Sequence, residues 1–234
     1  MRILITFVII SFFNLVKASP INVIRDAEVE NLLADISKIL IQNTELEDED
    51  LKFYIDNKKY INALVTPDKK FFFTTELLLK SQGVEDLAGV ISHEIGHIIG
   101  GHFQKRQMAM EKTSNINILS SLLAIGAIAS GAYNAGSALL MGGQQLSTSK
   151  LLSFSRSQES LADQTAIRLL KKNGFSLQGL INIFEQMQRN EKIKKLNPYL
   201  LTHPLSNERI RNIKINFDGQ KLKKYEDLDY RFKL

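Results

Sequence analysis

The sequence predicts an α+β fold that is mostly helical, with a small antiparallel sheet near its amino-terminal end. The sheet is indicated by three short segments, rich in aromatic and β-branched residues, that are separated by polar turn residues. The helical body is indicated by the segments after Glu76, where apolar residues recur at helical spacing and no strand pattern returns. With 234 residues, 44% of them hydrophobic, the chain can bury a core of its own as one domain.

Residues 1–18 have the pattern of a signal peptide. Arg2 supplies the positive start, Ile3 to Phe13 form the apolar core, and Val16-Lys17-Ala18 offers small residues for the peptidase. The apolar run is shorter than the ~20 residues that a membrane crossing needs. We therefore expect cleavage after Ala18, which leaves residues 19–234 as a single domain outside the cytoplasm.

The composition limits what the exported chain can use for stability and binding. It contains no cysteine, so stability in an oxidising compartment must come from packing or a bound metal. The formal net charge is +5, and removal of Arg2 and Lys17 leaves +3. Because the bases are interspersed with acids, we expect no nucleic-acid partner.

Local patterns predict the elements in order. Residues 22–42 have the spacing of an amphipathic helix, and the acidic run from Glu45 to Asp50 closes it. The predicted strands are Leu51–Asp56, Tyr60–Thr66 and Phe71–Thr75. The predicted helices that follow are 84–112, 116–141, 157–172, 176–190 and 206–215.

The segment 116–141 carries no charge. Its length would span a membrane, but Ser, Gly and Asn interrupt it repeatedly. This pattern favours a helical hairpin, either buried or resting on a membrane surface, over a true span. Residues 142–155 are polar and begin with two glycines, so we expect a flexible loop that acts as a lid.

The run His93-Glu94-Ile95-Gly96-His97 matches the pattern H-E-x-x-H. On a helix, both imidazoles share a face and approach one ion, while Glu94 points at a water beside it. Such a short match also arises by chance on surface helices. Here the flanks are apolar, and burying histidines without partners costs roughly 1–3 kcal/mol each. The motif therefore predicts a zinc site with Glu94 as the general base.

A third ligand has several candidates. Glu159 and Asp163 lie four residues apart on one helix face, so Glu159 can bind the metal while Asp163 accepts a ring N–H of a ligating histidine. Taken alone, the two acids also fit an ordinary solvated pair. Glu111 and Asp163 are rival ligands, whereas Phe103 occupies the position where a histidine ligand would otherwise be expected. His102 is interpreted as a surface or supporting histidine.

The two motifs in order, His93–His97 and then Glu159-Ser160-Leu161-Ala162-Asp163, resemble those of the gluzincin zinc peptidases that include HtpX, the CAAX prenyl proteases and the BepA-type proteases. Asn62-Ala63 and Ser155-Arg156 add to the likeness, which covers most of residues 25–215. The resemblance implies a mostly helical gluzincin metallopeptidase domain, a zinc endopeptidase with His93, His97 and Glu159 as ligands of one Zn²⁺ ion.

Near the end of the chain, Thr202-His203-Pro204 and Glu208-Arg209 also resemble the family. The resemblance implies that His203 and Arg209 lie near the active site, where they stabilise the oxyanion or regulate access. The alternatives are a capped turn for His203 and a surface ion pair for Arg209.

The chain has one doubtful hydrophobic segment, so it is more similar to the periplasmic BepA-type proteases than to the membrane-spanning members. We therefore expect a periplasmic endopeptidase that cleaves unfolded or misassembled envelope proteins, with possible contact to the membrane surface through 116–141. No tetratricopeptide region is recognised, so BepA's own partners are not expected to carry over. The alternatives are a catalytically silent, chaperone-like binder of misfolded proteins and a membrane-inserted protease.

Overall fold

The computed structural model describes residues 22–193, 203, 205–217 and 219–234, without the side chains of 190–193. The expected signal peptide, residues 1–18, lies outside this part. The fold is mostly helical α+β, as predicted. In chain order the elements are β1 (Val23–Ile24), α1 (Ala27–Ile41), β2 (Lys52–Asp56), β3 (Ala63–Val65), β4 (Lys70–Thr74), α2 (Thr75–Lys80), α3 (Val84–Ile99), α4 (His102–Ala129), α5 (Tyr133–Asn173), α6 (Gln178–Ile193), α7 (Asn207–Ile215) and α8 (Glu226–Phe232).

The sheet is mixed, which corrects the prediction of a purely antiparallel one. Its strand order is β1-β2-β4-β3, with antiparallel pairs at both edges and a parallel pair between β2 and β4. The parallel pair places Phe53 opposite Phe71, and their rings stack with centroids 4.8 Å apart. Phe71 and Phe73 are fully buried, so a central position for β4 covers more aromatic surface than an edge position would.

The helix predicted for 22–42 begins later, at Ala27. Asp26 caps it by accepting hydrogen bonds from the backbone N–H of Glu28 and Val29. The residues before the cap, Val23 and Ile24, instead pair with β2 as a short edge strand. The β-branched side chains of these two residues suit that extended conformation.

The helix predicted for 84–112 is broken into α3 and α4. The break lies at Gly100 and Gly101, and Gly101 takes a φ of 59°, in the left-handed region that favours glycine. Helix α3 is buried almost throughout its length, and it packs against α1, α5 and α6. It is therefore the central helix of the fold.

The segment 116–141 forms a helical hairpin, as predicted, but the hairpin is exposed rather than buried. Helix α4 ends at Ala129, the chain turns at Gly131 with a φ of 87°, and α5 begins at Tyr133.

The prediction that residues 142–155 form a flexible lid is wrong, because these residues are helical within α5. The helix tolerates its glycines because Gly143 lies against Ser120 of α4, where a β-carbon would come 2.1 Å from the hydroxyl oxygen. Within the described ranges, no helix combines the length and apolar character that crossing a bilayer requires.

Glu85, in the first turn of α3, makes the stability of the fold depend on pH. Its carboxylate accepts a hydrogen bond from the backbone N–H of Ser176 at 2.6 Å. Burial, together with nearby Asp229 and Asp86, outweighs this bond and raises the pKa of Glu85 from 4.5 to about 7. The folded chain therefore binds the extra proton, and this stabilising contribution is present below pH 4.5 and lost as the pH rises through about 7.

The substitution Glu85→Gln keeps an acceptor for Ser176 and removes the titration. Relative to the parent, the free energy of unfolding of this variant should increase between about pH 5 and about pH 8. The gain should be about 1 kcal/mol after allowance for the partial exposure of the side chain. Urea denaturation at both pH values measures it, and a difference that does not change with pH would contradict the assignment.

Candidate metal centre

Helix α3 presents three ionisable side chains at the centre of the molecule. His93, Glu94 and His97 are all buried. The i, i+4 spacing places the two imidazoles on one face, with their Nε2 atoms 3.2 Å apart. Two ring nitrogens directed at one point in a buried space are the geometry that H-E-x-x-H predicts.

Helix α5 brings the second motif against this pair. It can approach closely because Gly96, between the two histidines, has no side chain: a β-carbon there would lie 2.7 Å from the carbonyl oxygen of Ala162. The buried carboxylate of Glu159 then lies with Oε2 at 3.4 Å from Nε2 of His93 and Oε1 at 3.5 Å from Nε2 of His97. The third ligand predicted from the sequence therefore meets the histidine pair.

The size of this triangle fits a zinc ion. Donor atoms about 2.0–2.1 Å from zinc at tetrahedral angles lie roughly 3.3–3.4 Å apart. Here the two Nε2 atoms are 3.2 Å apart, and Nε2 of His93 and Nε2 of His97 lie 3.4 and 3.5 Å from the two different oxygens of Glu159. The donor set, two imidazoles and a carboxylate, is one that zinc accepts with a fourth position left for water. One donor atom from each of these three residues and from His203 lie within 4.8 Å of one another. The site therefore fits one zinc ion.

Asp163 and Arg209 support the candidate ligands from behind. Asp163 Oδ1 lies 3.0 Å from Nδ1 of His93, although the approach is too oblique for a standard hydrogen bond. The guanidinium of Arg209 binds Asp163 through two hydrogen bonds of 2.7 and 2.8 Å and lies 3.0 Å from Glu159 Oε2. One buried cation thus orients both carboxylates, the supporting role that metal sites require of their surroundings.

His102 supports the other histidine. The turn at Gly101 brings Nδ1 of His102 to 2.9 Å from Nδ1 of His97. If Nε2 of His97 binds the metal, its Nδ1 carries the proton and donates a hydrogen bond to Nδ1 of His102. Its imidazole is buried, so the expectation of a possible surface histidine is wrong and the supporting role is favoured.

Charges in the cluster perturb one another. Burial alone would lower the pKa of His93, but Asp163 and Glu159 outweigh it and raise that pKa to about 9. Burial and the charge of His93 together lower the pKa of His97. Burial would raise the pKa of both carboxylates, but neighbouring groups outweigh it. His203 and His93 lower the pKa of Glu159, and Arg209 lowers the pKa of Asp163. Both carboxylates are thus held in the ionised form, Asp163 paired with Arg209 and Glu159 in the form that binds a metal ion.

Glu94 stands apart from the donor triangle. Its burial raises the pKa of its carboxyl group, and one interaction that counters this is a hydrogen bond with the backbone of Val65 in strand β3. Oε1 of Glu94 is buried and has no hydrogen-bond partner in the described part of the chain. An unpaired carboxylate oxygen beside a zinc site is placed to accept a proton from water.

Of the remaining candidate residues, Glu111 lies outside the site and His203 lies within it. Glu111 is exposed and bonded to Gln107, so it does not enter the site. His203 Nδ1 lies 3.0 Å from Glu159 Oε1, so His203 contacts one of the candidate metal ligands directly. The resemblance of Thr202-His203-Pro204 to the family implies this position, but the contact joins residues 44 positions apart, so spacing alone does not predict it.

A mostly helical domain with this buried donor set has the features of a zinc metallopeptidase. A model of peptidase family M48 matches residues 25–216, and the chain belongs to that family.

Curated relatives carry protease names. The chain is 27% identical over 162 residues to the "Beta-barrel assembly-enhancing protease" of Yersinia pestis. This alignment covers 68% of this chain and 32% of that protein. It is 29% identical over 147 residues to "Metalloprotease YcaL" of Escherichia coli, covering 58% and 51% of the two chains. It is 29% identical over 157 residues to the "Mitochondrial metalloendopeptidase OMA1" of Schizosaccharomyces pombe, covering 65% and 42%. The aligned residues thus span about a third of the first relative.

Proposed function

We propose that this chain is a zinc-dependent endopeptidase that hydrolyses peptide bonds of unfolded or misassembled envelope proteins in the periplasm. The observation that carries the enzymatic part is the zinc-sized triangle of His93, His97 and Glu159 beside the unpaired oxygen of Glu94. The substrate class is supported by the relatives named for assisting β-barrel assembly.

We assign His93, His97 and Glu159 to hold the ion and Glu94 to move the proton. Zinc, when bound, supplies the Lewis acidity that activates water and polarises the substrate carbonyl. Glu94 takes the proton of the attacking water through Oε1 and later donates it to the leaving amine.

Strand β3 is the proposed binding edge for an extended substrate. Backbone bonds from Thr74 to Asn62 and from Thr66 to Lys70 direct residues 62 and 66 toward β4. The backbone groups of residues 63 and 65 consequently face the opposite edge, which pairs with no strand among the described residues and where the backbone of Val65 hydrogen-bonds Glu94. A peptide added to this edge would lie along the metal centre. The side-chain oxygen of Asn62 is buried without a hydrogen-bond partner among the described residues and suits a contact with that peptide.

His203 and Arg209 are proposed to act at the same site. His203 lies beside Glu159 within the donor cluster, and its ring is proposed to donate a hydrogen bond to the oxyanion. Arg209 lies against both carboxylates, so its effect on the reaction is to position Glu159 and Asp163.

Loss of the metal tests the assignment. Glu159→Ala should remove most of the zinc from the purified protein and abolish cleavage of an unfolded protein, because two imidazoles remain where three ligands are needed. Metal analysis and gel-based cleavage measure the two effects, and a chelator should inactivate the parent until zinc is restored. Glu111→Ala is the matched control, since this rival acid is exposed and outside the site. Full zinc content in Glu159→Ala, or cleavage that resists chelation, would overturn the proposal.

A further inference from the structure

The hairpin formed by residues 113–149 of α4 and α5 has its large apolar side chains on the outside. Ile118, Leu119, Leu122, Leu123, Leu140 and Met141 are all exposed. Helices of water-soluble proteins bury such residues against a neighbour. An exposed apolar surface of this extent therefore requires a covering medium or partner.

The two arms of the hairpin approach closely where glycines of α5 face α4. Gly136 lies against the side chain of Ile128 and the carbonyl oxygen of Ala124, and Gly143 lies against Ser120. Deeper toward the base, Ser147 donates a hydrogen bond to the side-chain oxygen of Asn117 at 2.7 Å. Small residues and side-chain hydrogen bonds between helices, with apolar residues outside, are the arrangement that helices adopt in lipid.

Charge is distributed in the same way. Residues 113–149 contain no charged side chain, whereas the base of the hairpin is basic. Lys105, Arg106 and Lys112 on α4, with Lys150 and Arg156 on α5, are exposed there, and Glu111 is the acid between them. An uncharged tip above a basic collar complements a membrane with anionic headgroups.

We propose that this hairpin inserts into one leaflet of an anionic bilayer and anchors the protein to the membrane surface. From Ile118 to the turn at Ser130 the arm is about 18 Å long, which matches half of a hydrocarbon core of about 30 Å. Lys112 and Lys150 then lie at headgroup level. Lipid is favoured over a second copy of the chain because the basic collar would repel its own copy.

The anchor fixes the distance between the membrane and the proposed active site. Helix α5 runs without interruption from the hairpin to Glu159. At 1.5 Å per residue, Glu159 lies about 14 Å along the helix from Lys150. An anchored molecule would therefore hold its metal centre within reach of substrate chains at the membrane surface.

A tryptophan reporter tests insertion directly, because the chain has no tryptophan of its own. Leu122→Trp, on the hairpin, should shift its emission to the blue with vesicles of phosphatidylethanolamine and phosphatidylglycerol, and brominated lipid should quench it. Leu79→Trp is the matched control, since Leu79 is 80% exposed on α2, away from the hairpin. Equal responses from both reporters, or none from Leu122→Trp, would overturn the proposal.

Vesicle co-sedimentation then separates the apolar tip from the basic collar. Replacing Leu119, Leu122 and Leu123 with serine should weaken partitioning by a factor on the order of 10² or more. Lys112→Gln and Lys150→Gln should each weaken it roughly fivefold on anionic vesicles, with no change on phosphatidylcholine vesicles. Serine variants that lose self-association but keep vesicle binding would show that a second copy covers the hairpin.

Different variants test the membrane anchor and the proposed peptidase activity, so either proposal can be overturned without the other. Glu94→Gln should bind vesicles as the parent does, because Glu94 lies in the buried site and not on the hairpin. The serine variants should keep their zinc and their cleavage of a soluble unfolded protein. Loss of zinc in those variants would point to a structural effect of the hairpin and would overturn its role as a separate anchor.

Discussion

Replacing Glu94 with glutamine is expected to lower kcat/KM for peptide hydrolysis by a factor on the order of 10²–10⁴ while the protein keeps its zinc. Glutamine has nearly the same shape, and its amide oxygen can still accept the hydrogen bond from Val65. It cannot accept a proton from water, so only the general-base step is removed. Cleavage of an unfolded protein and metal analysis on the same preparation measure the two properties.

Glu85→Gln is the matched control for this experiment. It makes the same substitution on the same helix, but its side chain contacts Ser176 rather than the metal centre. The control should cleave at the parental rate. Retention of more than about a tenth of the parental kcat/KM by zinc-loaded Glu94→Gln would remove Glu94 from the general-base role.

Replacing Arg209 with methionine is expected to destabilise the fold by about 3–5 kcal/mol, because Asp163 loses the buried cation that binds both of its oxygens. For a chain of this size, this loss corresponds to a decrease in Tm of about 6–20 °C. Zinc affinity should also fall about 10–100-fold, since Arg209 orients Glu159 as well. Thermal unfolding of the zinc-loaded protein and competition with a chelator measure the two effects.

Two further variants isolate the buried charge. Arg211→Met, an exposed arginine on the same helix α7, should leave Tm and zinc affinity near the parental values. Adding Asp163→Asn to Arg209→Met should restore part of the lost stability, because it removes the carboxylate left without its cation. If Arg209→Met and Arg211→Met change Tm equally, the buried network does not have the importance assigned to it.

The predicted helices were most accurate where local patterning is strong. The apolar periodicity around His93 predicts a helix from residue 84, where α3 begins, but not the break at Gly100 and Gly101 that separates α3 from α4. Residues 142–155 were predicted as a loop because two glycines and a run of polar residues disfavour a helix locally. Packing of Gly143 against Ser120 reverses that preference, and no short window of sequence contains both residues.

The site shows the same division between local and distant information. Spacing alone places His93, Glu94 and His97 correctly, because four residues make about one helical turn wherever the helix lies. It could not choose among Glu159, Asp163 and Glu111, since each choice depends on which helix packs against α3. The close approach at Gly96 decides this, because it lets α5 bring Glu159 to the imidazoles.

The sequence by itself predicted the histidine pair, the glutamate proposed as general base on the same helix, and the uncharged segment that forms the hairpin. Each of these depends on residues within a few turns of one another. The family resemblance implied Glu159 as the third ligand and His203 as a neighbour, but only the tertiary structure excluded Glu111, brought Glu159 and His203 together and placed Arg209 against both carboxylates. The contacts between these groups join residues 44 and 46 positions apart, and such contacts are set by how helices pack rather than by any local pattern.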